Sequence, residues 1–277
     1  MYPWKEYWAN LAASSGSADA EGFSAVLHPD APSWFNTTID RLQERAWRKG
    51  LRLCQIKDDA LVLDVGCGVG RWLRRYMERG LQTVGVDATE GMLQRAAASG
   101  LKCSLVVGLA QSLPFDDAAF DLVSAVTVVQ HIPPTNQAEA LKEMARVLRP
   151  GGHLLLLELI RGQGPHIFSR RPADWIERAS SAGVSLVGWH GQEYLIPDRI
   201  FVGFVHTVRR LARNGPESSL PGQARTPPLE PEQVPTARIV YWLIRRCTCA
   251  VSEWFEPVAQ NVLPREWATH GLFIFKK

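Results

Sequence analysis

Residues 61–87 read LVLDVGCGVGRWLRRYMERGLQTVGVD, and the order of residue types in that stretch decides the fold. Ala60 to Val65 is a short apolar run of Val and Leu, the composition of a strand covered on both faces in a parallel sheet. Gly66, Gly68 and Gly70 follow as G-x-G-x-G, which lets the backbone turn sharply and approach a ligand where Cβ atoms would intrude. The spacing predicts a helix from Arg71 to Arg79 stopped by Gly80, then a second strand from Gln82 to Asp87. Asp87 stands about twenty residues beyond the first glycine, where a carboxylate can accept bonds from both hydroxyls of a ribose.

A dinucleotide fingerprint needs G-x-G-x-x-G, and its third glycine would fall on Arg71. Gly70 instead completes the shorter form, and Asp64 stands just before the turn. A carboxylate there suits a cationic amino group and repels a pyrophosphate in a confined site. The pattern points to S-adenosylmethionine rather than to a nicotinamide dinucleotide.

The stretch from Val62 to about Glu158 resembles a class I S-adenosylmethionine-dependent methyltransferase of the branch that acts on small molecules. LDVGCGVG matches the first family motif, and Asp87 in VGVDATEGML the acid that follows it. AQSLPFDDAAFDLVSAVTVVQHI is similar to the loop and fourth strand, and RVLRPGGHLLLLE to the helix end, turn and fifth strand. The resemblance implies that Asp64, Gly66, Cys67 and Gly68 hold the methionine part of the cofactor and Asp87 its ribose. Ala88 and Met92 would cover the adenine face, with Ala110 and Gln111 at its edge. Family members often carry an acid just before that alanine; Leu109 stands here, so Gln111 or the backbone is left to read the base. The implied product is S-adenosyl-L-homocysteine.

Methyl transfer from a sulfonium is an in-line displacement, so the acceptor must be held close and, where necessary, relieved of its proton. His131 follows the fourth predicted strand, at the carboxyl edge of the sheet where ligands of open α/β sheets bind, and is the first candidate for the base. Glu158 closes the run LLLLE and would project from the neighbouring edge, as a base or to orient His131. His166, His190, Tyr194 and His206 are further pocket candidates, and His153 beside PGG reads as structural. The expected acceptor is an oxygen or nitrogen of a small or medium-sized metabolite. A scaffold that binds the cofactor without catalysis is the alternative, and a nicotinamide-dependent oxidoreductase the third reading.

Beyond Asp87 the pattern predicts helices over Thr89–Ser99, Thr135–Arg149 and Ala173–Ala182, and strands over Ser104–Val107, Leu122–Val128, His153–Ile160 and Val184–Trp189. This alternation predicts an α/β fold with a doubly wound, mostly parallel sheet. The family pattern makes it seven-stranded, with Gly271–Lys276 inserted antiparallel beside its neighbour. The expected divisions are a helical cap over residues 1–59, a cofactor-binding Rossmann-like core over 60–190, a helical insertion over the substrate pocket at 191–265 and a last core strand at 266–277. In the cap, Phe35, Ile39, Leu42 and Ala46 recur at helical spacing with Ser33 as N-cap, after a loop containing Gly16, Gly22, Pro29 and Pro32. Tyr7 or Trp8 in the opening MYPWKEYW could close over the cofactor. In the insertion, a helical run over Arg199–Ala212 and the apolar segment Ile239–Phe255 flank a linker from Gly215 to Pro235.

At 277 residues and 46% hydrophobic the chain can bury a substantial core. Five cysteines without metal-ligand spacing, and no secretory run after Met1, predict a reducing cytoplasm and no metal site. Cys67 reads as a small packing residue. A net charge of +3 without a lysine-rich run gives no nucleic-acid footprint. The arginines gathered between Arg199 and Arg246 form a solvated helix face or a basic rim for an anionic acceptor. Arg245, Arg246 and Glu253 exclude a membrane span for the late apolar segment and leave a partner surface, including a homodimer contact, as a second reading.

Overall fold

The computed structural model of the chain describes residues 4–14, 27–28, 31–162, 164, 166–213 and 235–277. Gly16, Gly22, Pro29 and nearly all of the linker from Gly215 lie outside them. The elements run α1 (Trp4–Ser14), α2 (Ser33–Cys54), β1 (Leu61–Val65), α3 (Arg71–Met77), β2 (Gln82–Asp87), α4 (Glu90–Ala98), β3 (Ser104–Val107) and β4 (Phe120–Val126). A 3-10 turn (Val129–His131) leads to α5 (Gln137–Val147), β5 (Leu148–Leu159), α6 (Pro172–Ser181), β6 (Ser185–Gln192), α7 (Ile196–Arg213), α8 (Pro235–Val262) and β7 (His270–Lys276).

The strands form one seven-stranded sheet in the order β3-β2-β1-β4-β5-β7-β6. β7 is antiparallel to both β5 and β6, and the remaining pairs are parallel. The central strands are apolar on both faces because helices cover both faces; Val62, Leu63 and Leu154 to Leu157 are buried. The strand order reverses between β1 and β4, so the carboxyl ends of those two strands open the crevice where ligands of such sheets bind.

Helix α2 begins at Ser33 with Pro32 in the cap position and no side-chain capping bond, which corrects the expected Ser33 cap. The Ser33 carbonyl is instead taken by the Thr37 hydroxyl at 3.0 Å. Gly50 lets α2 lie close to the sheet, since a Cβ there would collide with Leu155 Cδ1. Trp47 stacks on Trp72 with ring centroids 5.8 Å apart, and both join Tyr76, Leu157 and Ile274 in one apolar cluster. Strand β4 ends earlier than the sequence pattern predicts, and the chain turns at Thr127, which has a φ of 57°, before reaching His131.

The chain divides into two compact units, one carrying the sheet up to Glu193 and again from Val262, the other spanning Tyr194–Asn261. The second unit pairs α7 with α8: Phe201 packs 5.7 Å from Tyr241, and Arg245 holds Asp198 through Nε (2.9 Å) and Nη2 (2.7 Å). Glu256 accepts the Tyr194 amide at 3.0 Å.

Candidate functional site

The turn after β1 is built from residues that tolerate a left-handed backbone: φ is 68° at Gly66, 54° at Gly68 and 84° at Gly70. At Gly66 a Cβ would also come within 2.5 Å of Val128 Cγ2, so the loop and the end of β4 approach closely. Four of the loop amides are satisfied inside the protein. Gly66 and Cys67 donate to the Val86 carbonyl (2.8 and 3.1 Å), Gly70 to that of Cys67 (2.9 Å), and Gly68 to Asp87 Oδ2 (2.9 Å). Thr89 donates to Asp87 Oδ1 at 2.8 Å. A phosphate-binding loop needs unspent N–H groups, and these four are spent on backbone carbonyls of Val86 and Cys67 and on the Asp87 carboxylate. Burial raises the Asp87 carboxyl, against the pull of the Thr89 and Gly68 amides.

These elements wall a cleft with about 1010 Å³ of empty space, part of it open to solvent, bounded by the glycine loop, the end of β2, Gly108–Gln111 and residues between Val126 and Pro133. Every cofactor residue expected from the sequence lies on that wall except Asp64. Asp64 sits one residue inside β1 with 1% of its surface exposed. Its Oδ1 accepts the Ser124 hydroxyl at 2.8 Å, while its buried Oδ2 has no hydrogen-bond partner among the described residues. Burial pushes its pKa up to about 7, with Ser124 and Arg71 pulling the other way. Leu109 does line the cleft, so no carboxylate stands at the place where the resemblance to the family leads one to expect an acid.

Arg71, which ends the dinucleotide reading in the sequence, proves to be a wall residue of its own. It is buried at the start of α3, donating from Nη1 to Asp40 Oδ1 (3.1 Å) and from Nη2 to Gln43 Oε1 (2.7 Å). Arg75 takes the other oxygen of Asp40 at 2.5 Å. Burial lowers Arg71 to about 10, and Asp40 opposes that shift, so it remains a cation at neutral pH. The available signal was that Asp40 and Gln43 interrupt the apolar face of α2 beside Ile39 and Leu42, four polar atoms in a stripe that otherwise packs on the core.

His131 lines the cleft. Its Nδ1–H donates to the His166 carbonyl at 3.0 Å, which leaves the Nε2 lone pair facing the Gln130 amide nitrogen at 3.3 Å. The Gln130 amide is itself oriented, since its Oε1 accepts the Leu159 N–H at 2.7 Å. The ring stacks on His166 at 5.3 Å and meets the edge of Trp8 at 5.2 Å, and Tyr7 lies 4.4 Å from His166. Burial drives the His131 pKa down to about 4, so the imidazole is neutral. Trp8 reaches this place because α1 packs on Val69 and Met92 through Trp8, Leu11 and Ala12.

Glu158 is brought next to this turn and kept out of the cleft. It is fully buried, and it accepts the amides of Val128 (3.1 Å), Val129 (2.9 Å) and Gln130 (2.9 Å). A direct role as a base, expected from its position at the end of β5, does not fit this geometry, because its oxygens are turned onto backbone amides. It orients His131 only by fixing the turn that carries it. Desolvation pushes its pKa up to about 7 against those three amides. His166 enters the cluster through its carbonyl and ring; His190, Tyr194, His206 and His153 are not on the cleft wall. Among the described residues no group of three or more His, Cys, Asp or Glu could hold a metal ion.

Residues 63–156 match a family model described as a methyltransferase domain. Curated relatives include the demethylmenaquinone methyltransferase of Bacillus subtilis (strain 168), 34% identical over 147 residues that cover 50% of this chain and 61% of that protein. The corresponding protein of Shouchella clausii is 36% identical over 132 residues, 44% of this chain and 55% of its own length. The chain thus spans a little over half the length of the curated relatives it matches. Among solved structures, the [4+2]-cyclase SpnF superposes with a TM-score of 0.53 at 18% identity, over 86% of this chain and 80% of that one. The YcgJ protein of Bacillus subtilis gives 0.52 at 16%, over 84% and 97%. At such identities these two likenesses concern the fold alone, and one fold hosts several chemistries.

Proposed function

Because its central part is a class I S-adenosylmethionine-dependent methyltransferase domain, we propose that this chain transfers a methyl group to a small-molecule acceptor bearing a weakly acidic proton, a ring hydroxyl or a nitrogen. The observation that carries the reading is a neutral imidazole, His131, on the wall of the same cleft as the glycine loop.

The residues fit S-adenosylmethionine. The orphaned Asp64 Oδ2 suits a cationic amine, and Asp87, anchored to the loop it faces, suits the ribose hydroxyls. Met92 and Ala88 offer an apolar surface for adenine, and Arg71 a cation for a carboxylate, of the cofactor or of an anionic acceptor. The cofactor supplies a methyl on a sulfonium, open to in-line attack. The protein's part is to position the acceptor, exclude water and remove its proton. His131 performs the last task through Nε2, displacing the long Gln130 contact, while the His166 carbonyl holds the opposite nitrogen as N–H and so stabilises the imidazolium that forms. Trp8 and the α1 helix shield the ring from solvent.

A second reading comes from the relatives, whose name places the methyl on a demethylmenaquinone. Loss of a ring hydroxyl proton would then activate a ring carbon, with the same part for His131. Titration calorimetry with S-adenosylmethionine, S-adenosylhomocysteine and NADH, followed by an acceptor screen with the wild type and His131→Phe, tests the proposal. Micromolar binding of the sulfur compounds with turnover that collapses in His131→Phe supports it. Cofactor binding without turnover on any hydroxylated ring or amine would favour a scaffold, and NADH binding would overturn the reading.

A further inference from the structure

Gln137 opens α5, off the cleft wall, and is fully buried. A buried primary amide offers two N–H groups and a carbonyl oxygen, and each needs a partner. Here Nε2 donates to the carbonyls of Val129 (3.0 Å), Ile132 (3.2 Å) and Phe168 (3.3 Å), two N–H groups serving three acceptors. Oε1 accepts from Arg170 Nε. One side chain thereby ties together two pieces of chain that are distant in sequence. The first is the turn that carries His131; the second is the segment before α6 that carries His166.

The turn is gripped from both sides. Glu158 takes the amides of Val128, Val129 and Gln130, and Gln137 takes the carbonyls that flank His131, at Val129 and Ile132. The Gln130 carbonyl accepts the Phe168 amide at 2.7 Å. Both backbone groups of Phe168 are thus spent on holding its segment against the turn. Two residues earlier, the His166 carbonyl accepts the Nδ1–H of His131 at 3.0 Å. A neutral imidazole has one proton, and the hydrogen bond made at one nitrogen decides which of the two carries it. For His131 that deciding acceptor is a backbone carbonyl, and the clamp at Phe168 sets its distance from the ring. Were the segment to recede, Nδ1 would lose its acceptor and the proton could pass to Nε2, closing the lone pair that a base in the cleft needs.

We propose that Gln137, held by Arg170, is a positioning residue that fixes the Nδ1–H tautomer of His131 by clamping the 129–132 turn to the 166–170 segment. Its value for turnover rests on the reading of His131 as the base; the tautomer does not, so failure of the one is distinguishable from failure of the other. The test is two-bond proton–nitrogen correlation NMR of the isotopically labelled full chain near neutral pH, with the His131 signals assigned by their loss in His131→Gln. Protonated and bare ring nitrogens resonate far apart, so the spectrum reads the tautomer directly. The wild type is expected to show Nδ1–H. Gln137→Leu removes the clamp, and Gln137→Glu keeps an acceptor for Arg170 but has no N–H to give. In both, the tautomer ratio should shift toward Nε2–H by about fivefold or more, the factor that loss of one hydrogen bond brings. Arg170→Met leaves the amide in place but frees its Oε1, and should move the ratio the same way by less. Cooperative thermal unfolding shows which variants are folded. An Nε2–H tautomer in the wild type overturns the proposal. So does the wild-type ratio in a folded Gln137 variant, or in Arg170→Met where neither Gln137 variant folds, since Gln137 would then only stabilise the fold.

Discussion

Asp87 accepts the Gly68 amide at 2.9 Å, so the residue that ends β2 also fixes the turn that ends β1. The two halves of the proposed cofactor site are one hydrogen-bonded unit. Asp87→Ala should weaken S-adenosylhomocysteine binding by roughly 1–3 kcal/mol, through loss of the ribose acceptor and release of the Gly68 and Thr89 amides. Calorimetry on the variant reads this directly, and an unchanged affinity would move the ribose site elsewhere.

Glu158 supports three amides of the turn before His131, and removing it leaves buried donors without an acceptor. Glu158→Ala should cost roughly 2–5 kcal/mol of stability, and Glu158→Gln less, because one acceptor oxygen remains. Urea unfolding measures both. Stability kept in Glu158→Gln with turnover abolished would restore Glu158 as a reacting group.

The pH dependence follows from burial of His131. The folded ring stays neutral down to about 4 whereas its ordinary pKa is 6.5. Between those values the unfolded state binds the extra proton, so this group's contribution is complete above pH 6.5 and is lost as the pH falls toward 4. The stability difference between wild type and His131→Gln should therefore be constant above pH 6.5 and shift against the wild type below it. If His131 is the base, kcat/KM should show no limb between pH 6 and 7 from this residue and fall only as the pH approaches 4. A rate profile with an acid limb near 6.5 that disappears in His131→Gln would show a ring far more solvated than the one described.

Gly66 has a positive φ and no room for a Cβ beside Val128. Gly66→Ala should strain the loop by roughly 1–3 kcal/mol and lower cofactor affinity as the loop shifts. Thermal unfolding with and without S-adenosylhomocysteine separates the two effects, and a variant with wild-type stability and binding would refute the close approach.

Cys67 is buried in the same loop as a free thiol, and desolvation together with Asp64 and Asp87 raises its pKa well above the usual range. It should resist thiol reagents under native conditions, and Cys67→Ala should retain turnover. Rapid alkylation with loss of activity would contradict this.

The glycine-loop half of the sheet is legible in the sequence because its signals are local. The glycines, the acid at the end of β2 and the apolar strands follow from backbone sterics and burial at short range, and the order of β/α units supplies the sheet. Residues whose meaning depends on distant partners are not legible in this way. Glu158 reads as a reacting carboxylate until the turn at Val128–Gln130 folds over it, and Arg71 reads as a missing glycine until Asp40 and Gln43, some thirty residues earlier, come alongside it. The cap at Ser33 is a third case: a residue type suited to capping stands beside a proline whose carbonyl already accepts the Phe35 amide at 2.9 Å.

The pairing of Gln192 with His270 at the open ends of β6 and β7 has a consequence for how the chain reaches this structure. The last strand enters the sheet between β5 and β6 by closing a loop of about eighty residues, and the entropy of such a closure grows with loop length. The Tyr194 amide bound to Glu256, and Asp198 bound to Arg245, clasp that loop near its base. Once α7 and α8 have paired, β7 is tethered by a much shorter stretch, and the entropy lost on adding it to the sheet is correspondingly smaller.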